Sequence, residues 1–124
     1  MANILVIEDE RDVRNLFRRM LVESGFNVDT AADGVAALRM VERREYDVIL
    51  LDIIMPKKDG LETMSALKRS HPEIKIIVIT GGGLHLDADA CMEMADSEQC
   101  FMKLKKPVKE KTLVDAVNKA LEAQ

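Results

Sequence analysis

Aromatic side chains are scarce: three phenylalanines, one tyrosine and no tryptophan among 124 residues, 3% in all. The loops therefore lack rings on which a flavin could stack, which sets aside an electron carrier of that kind. Cysteine is equally thin. Cys91 and Cys100 are the two present, and they do not form a CxxC pair. With no export signal in view they are expected to be reduced thiols, neither a disulfide nor zinc ligands. No apolar run approaches the roughly 20 residues of a membrane-spanning helix. Met1 and Ala2 lead straight into an apolar strand with no basic stretch before it, so the cytoplasm is the expected compartment. Positive charge is not in excess either: 18 Lys and Arg against 22 Asp and Glu give a net charge of -4. An electrostatic grip on nucleic acid or on a membrane surface is not expected from that balance. Linkers and low-complexity tracts are absent, and residues 1–124 read as one domain.

The stretch from Tyr46 to Gly60, YDVILLDIIMPKKDG, organises the rest. Asp47 is followed by four unbroken aliphatics, Val48 to Leu51, the composition of a strand covered on both faces. Asp52 stands where the strand runs out, desolvated on one side and open on the other. Pro56 and Asp59-Gly60 then break the chain into a turn before the next helix.

The same alternation runs through the whole chain. A first strand, Asn3 to Ile7, leads to the acids Glu8, Asp9 and Glu10. A helix from Arg11 to Ser24 follows, with Val13, Leu16, Phe17, Met20 and Leu21 at helical spacing and Gly25 as its stop. Asn27 to Ala31 reads as an edge strand, and Asp33-Gly34 opens a second helix bearing Ala37, Leu38 and Val41. After the Asp47 to Leu51 strand comes a helix from Leu61 to Ser70, closed by His71-Pro72. Ile74 to Ile79 is another buried strand, ending on Thr80 and three glycines. Ala88 to Ala95 is predicted as a helix, Cys100 to Leu104 as a fifth strand ended by Lys106-Pro107, and Thr112 to Ala123 as a last helix. Strand and helix alternating at the spacing of βαβ units predict an α/β fold with a parallel sheet and helices on both faces.

In such a sheet functional groups gather at the carboxyl ends of the strands. Those ends carry Glu8 and Asp9, then Asp52, then Thr80, then Lys106. Three carboxylates in a small space repel unless a cation compensates, and a hard divalent ion such as Mg²⁺ suits oxygen ligands. Magnesium beside a carboxylate nucleophile points to phosphoryl chemistry. Taken singly the residues read more plainly. Asp52 could end a strand and cap a turn, and Thr80 could be a turn hydroxyl. Glu8 and Asp9 could face the dipole of the first helix, and Lys106 could belong to a solvated basic face with Lys103, Lys105, Lys109 and Lys111.

Four blocks together, the acidic pair in VIEDE, LLDIIMPKKDG, the Thr80-Gly81 step after IIVI and the Lys106-Pro107 step, resemble the CheY-like receiver domains of two-component response regulators. The resemblance covers the whole chain. It implies a flavodoxin-like (βα)5 sandwich with a five-stranded parallel sheet in the order 2-1-3-4-5. It further implies that Asp52 accepts a phosphoryl group in a Mg²⁺-dependent step, with Asp9 and Asp52 as direct ligands of the ion. Glu8 would hold a water on the metal, and the backbone carbonyl of Ile54 would be the third protein ligand. Thr80 resembles the switch hydroxyl, Lys106 its ion-pairing partner, and Gly81 the small residue that keeps the site open. The implied partners are a sensor histidine kinase or a histidine phosphotransfer protein, and a downstream effector or an output domain of the same chain. A second copy of the chain is a further candidate, through the face of the fourth helix, fifth strand and last helix.

The pattern departs from the family in places. The family's aromatic, three positions before the lysine, is Lys103 here, and Phe101, expected on the same pleat face, is the substitute. The span from Thr80 to Lys106 is longer than usual, so an unusual fourth helix is expected. Ile54 and Gly82 offer no polar group to guide a hydrolytic water, which implies a slowly decaying phosphoprotein. A dehalogenase-type phosphatase would need an acid where Ile54 stands, and GGGL lacks the lysine and hydroxyl residue of a P-loop. The rival from another class is a receiver-like interaction module that takes no phosphate.

Overall fold

Unbroken aliphatic runs become the middle of the sheet because both of its faces are covered. The computed structural model describes residues 1–52, 59–80 and 100–123. Its strands are β1 (Asn3–Ile7), β2 (Asn27–Ala31), β3 (Val48–Asp52), β4 (Lys75–Thr80) and β5 (Met102–Lys105), and its helices α1 (Arg11–Glu23), α2 (Gly34–Arg43), α3 (Asp59–Ser70) and α4 (Glu110–Glu122). The five strands are parallel and lie in the order β2-β1-β3-β4-β5, as expected.

Side chains alternate across the sheet and feed two cores. Leu5, Ile7, Ile49, Leu51, Ile76 and Val78 pack with Ala37 and Val41 of α2 and Met64 and Leu67 of α3. Ile4, Val6, Val48, Leu50, Ile77 and Ile79 pack with Phe17 and Leu21 of α1 and Leu113, Val117 and Ala120 of α4. Burying one such aliphatic fully contributes about 1.5–3 kcal/mol, and all five residues of β3 are buried. The edge strands β2 and β5 are only partly covered, and they alone among the strands are rich in polar residues.

Local chemistry sets the helix ends. At the end of α1, Gly25 takes φ 95°, while the Phe26 amide donates to Leu21 O and the Gly25 amide to Val22 O. That is the reverse turn for which a residue without Cβ is favoured. Asp33 caps α2, its carboxylate accepting from the Ala36 amide at 2.8 Å, a side-chain oxygen filling an orphan donor. A Cβ on Gly34 would run into the Thr63 hydroxyl, so α2 and α3 meet closely because this glycine has no side chain.

Several expected boundaries shift. The helix read from Leu61 begins at Asp59, because the Asp-Gly pair read as a turn serves instead as its first residues. The strand read as Ile74 to Ile79 runs from Lys75 to Thr80, and the last helix starts at Glu110 rather than Thr112. Leu16 is 39% exposed: it lies about 100° around the helix from Phe17, off the stripe that Phe17 and Leu21 define. The helix expected at Ala88 to Ala95 lies outside the described residues.

Candidate functional site

Four strand ends bring the predicted residues to one edge of the sheet. Asp52 is the last residue of β3, paired in register with Ile79, and is 3% exposed. Glu8 follows β1, and its amide continues the ladder by donating to Ala31 O at 3.1 Å. It is 1% exposed although ionisable. Thr80 ends β4, and the Lys106 amide donates to Thr80 O at 2.8 Å, which carries the β4 and β5 pairing one residue further. Buried aliphatic strands thus deliver Glu8, Asp52 and Thr80 to the rim at fixed heights, and the edge strand β5 brings Lys106 there.

The side chains then converge. Lys106 Nζ lies 2.9 Å from Asp52 Oδ2 and 3.2 Å from Glu8 Oε1. Glu8 uses its second oxygen, Oε2, to accept from the Glu10 amide at 3.0 Å. Glu8, Asp9 and Asp52 each offer a carboxylate oxygen, all within 4.8 Å of one another, a grouping that could hold a metal ion. Thr80 Oγ1 is buried and has no hydrogen-bond partner among the described residues. An unpaired buried hydroxyl costs about 1–3 kcal/mol, so this one is available to a ligand oxygen at no loss of an existing bond.

The charges are only partly balanced. Burial, and then the hydrogen-bonded carboxyl of Asp52, hold Glu8 above the usual carboxylate value. Asp9 is also raised, by partial burial and then by its neighbour Glu8. Burial works against the charge on Lys106, but Asp52, with Glu8, outweighs it and keeps the ammonium above its ordinary value. Among the described residues the three acids outnumber the Lys106 ammonium that touches two of them, and the donors are all hard oxygens. That combination fits a small divalent cation.

Glu8, Asp9, Asp52 and Lys106 therefore meet as expected, with Thr80 at the adjoining strand end. Ile54, Gly81 and Gly82 lie outside the described residues. Phe101 is not brought to the site. It sits at a bend before β5, its amide bonded to Ile76 O at 2.8 Å, and the Lys75 ammonium lies 5.7 Å from its ring centre. Because β5 begins only at Met102, pleat alternation does not extend back to Phe101, and its ring joins the Met102 and Leu104 side of the sheet. That places it near the amino end of β4, away from Thr80. Sequence reasoning missed Arg14. Its Nη1 donates to Glu8 O at 2.9 Å and to Asp9 O at 3.3 Å. The available signal was an arginine one turn into the helix that follows the acids.

A family model described as the response regulator receiver domain matches residues 4–118. The transcriptional regulatory protein CpxR of Escherichia coli strain K12 is 34% identical over 121 residues, covering 98% of this chain and 50% of CpxR. The chain thus spans about half the length of that curated relative. A response regulator receiver domain protein from Clostridium thermocellum has a solved structure that matches at TM-score 0.85 and 33% identity, over 99% of this chain and 96% of that one. The response regulator protein TrrA of Thermotoga maritima, solved in complex with Mg(2+)-BeF, matches at TM-score 0.82 and 30% identity, over 98% of this chain and 100% of that one. Among the described residues no helix is long and apolar enough to cross a membrane.

Proposed function

The chain belongs to the response regulator receiver domain family, and from that premise we propose that Asp52 accepts a phosphoryl group from a phosphohistidine on a sensor kinase or phosphotransfer protein. The observation that carries this reading is the convergence of three carboxylates with Lys106, with the Thr80 hydroxyl, unpartnered among the described residues, at the adjoining strand end. In the transfer an Asp52 oxygen forms a bond to phosphorus as the P–N bond to the donor breaks. The electron pair returns to the imidazole, left neutral by the proton on its other nitrogen.

Glu8, Asp9 and Asp52 are the residues that would hold Mg²⁺, together with the backbone carbonyl of Ile54. When bound, the ion neutralises the oxygens that gain charge on transfer. The chain's own groups do the remainder. Lys106, already on Asp52, shifts its ammonium toward the new phosphoryl oxygens, and Thr80 donates its free hydroxyl to another. Since the Lys106 amide is tied to Thr80 O, both moves act on adjoining ends of β4 and β5, and a local charge becomes a changed surface.

Receiver domains are phosphoacceptor switches that meet sensor kinases and output domains, and this one transforms no external metabolite. It assists its own phosphorylation and dephosphorylation. The downstream partner is an effector protein or an output domain, in the cytoplasm, and a second copy through the β5 and α4 face is a further candidate. Incubation with Mg²⁺ and a small acyl phosphate should add one phosphoryl group to the chain and none to Asp52→Asn. No gain in mass in the unaltered protein would instead favour the interaction module.

A further inference from the structure

We infer that Arg14 is a positioning residue that sets the aim of the Glu8 and Asp9 carboxylates, an inference that rests on the reading of the site given above. Where β1 passes into α1, the chain leaves the sheet before the helix has begun, and two carbonyls, Glu8 O and Asp9 O, fall between the two ladders. Glu8 O is part-buried and needs a donor, Asp9 O lies at the exposed edge, and among the described residues neither regular element supplies a backbone donor to either. The Glu10 carbonyl is already taken by the Arg14 amide at 2.9 Å in the first turn of α1. The same residue then folds its guanidinium back, and one nitrogen, Nη1, bridges Glu8 O at 2.9 Å and Asp9 O at 3.3 Å.

That bridge fixes two successive peptide planes. The plane between Glu8 and Asp9 and the plane after Asp9 determine where the two side chains leave the backbone, so holding their carbonyls on one side holds both carboxylates on the other. A second tie closes the loop from inside, the Glu10 amide donating to Glu8 Oε2 at 3.0 Å. Arg14 thus ties the backbone of a short loop whose side chains bring two acids to Asp52. A planar guanidinium suits the task. The fork used here is the pair of hydrogens on one nitrogen, Nη1, whose directions the guanidinium plane fixes, whereas a lysine ammonium is a rotating point charge on a flexible stem. The positive charge also lies on the loop that carries Glu8, Asp9 and Glu10, where it moderates their repulsion.

The test uses the whole chain and two readouts, Mg²⁺ affinity by titration and hydrogen exchange of the Glu10 amide without metal. Arg14→Met keeps the aliphatic stem and the helix propensity but removes the fork. It should bind Mg²⁺ about ten-fold more weakly, as loss of a group that orients ligands does. Its Glu10 amide should exchange about ten-fold faster while the β3 and β4 amides keep their protection. Arg14→Lys should lie between it and the unaltered protein on both scales, separating the fork from the charge. Glu10 exchange in Arg14→Met equal to the unaltered protein overturns the inference whatever the metal data. So does an Arg14→Lys protein indistinguishable from the unaltered one, the comparison that decides the matter should Arg14→Met not fold. Failure of the unaltered protein to bind Mg²⁺ would count against the metal site itself and leaves the exchange comparison to decide the role of Arg14.

Discussion

Carboxylic acids hold their protons more tightly when they are buried and then crowded by other acids, and here Glu8 and Asp9 do so in the folded chain. Their ordinary values are 4.5 and 3.8, and both are raised on folding. A group whose folded pKa is raised contributes stability below its unfolded value and loses it as pH rises through the folded value. In the absence of divalent ions, these two acids therefore contribute less stability once pH has risen through their raised values than they do below their ordinary ones. Added Mg²⁺ should reverse that loss at neutral pH and do little at the acidic end, where protons occupy the same oxygens. At about 100 times its dissociation constant the ion should contribute about 2.7 kcal/mol. Urea unfolding against pH, with Mg²⁺ and with chelator, checks this; equal effects of the ion at both ends would contradict it.

Tyr46 offers a second reading at this scale, far from the acids. Its hydroxyl donates to Asp29 Oδ2 at 2.7 Å, an oxygen that also takes Arg44 Nη1 at 2.8 Å. Burial and then Asp29 push its pKa up from 10.0 to about 12. It is the only tyrosine in the chain, so the phenolate absorbance reports it alone. The folded protein should titrate near 12, and in strong urea the midpoint should fall to about 10. The stability carried by this phenol is present below the lower value and is lost as pH rises through the higher. Asp29→Asn should lower the folded midpoint, and an unchanged midpoint would show that the carboxylate does not hold the phenol.

Among the elements, the contact of α2 with α3 turns on Gly34. Alanine normally favours a helix over glycine by about 1 kcal/mol, so Gly34→Ala would stabilise an open position. Here the new methyl meets Thr63 Oγ1, and the substitution should cost about 1–3 kcal/mol through overpacking. Adding Thr63→Ala should recover most of that cost if the clash is its source. Chemical denaturation of the two single variants and the double variant measures the coupling. Elements were legible where burial was one-sided or complete. Strands β1 and β2 stand where the sequence alone places them, and β3 was marked by its aliphatic run to within one residue. The misreadings have local causes. Asp59-Gly60 breaks a chain in many settings but opens α3 here, and Phe101 lies one residue outside the pleat that would have aimed it. Arg14 was missed for a different reason. Its place one turn into the helix after the acids was a signal, but its partners are backbone carbonyls, whose direction a side-chain pattern does not show.

For the molecule as a whole, periodicity alone implied a parallel sheet with helices on both faces, because right-handed crossovers allow little else. The strand order came instead from the resemblance of the four sequence blocks, and the sheet has that order. The order matters for the site. It sets β3 between β1 and β4, so that Asp52 lies between the acids on one side and Thr80 on the other, with Lys106 reaching in from the edge strand over a separation of 54 residues. A switch built this way needs the new phosphoryl oxygens to draw Lys106 from Glu8 and to engage the Thr80 hydroxyl together. A crystal structure with Mg²⁺ and beryllofluoride tests that most directly. The account predicts a fluoroberyllate on Asp52, with a fluorine within hydrogen-bond distance of Thr80 Oγ1 and another of Lys106 Nζ. An adduct at any other residue, or one on Asp52 that leaves the Thr80 hydroxyl unengaged, would contradict it.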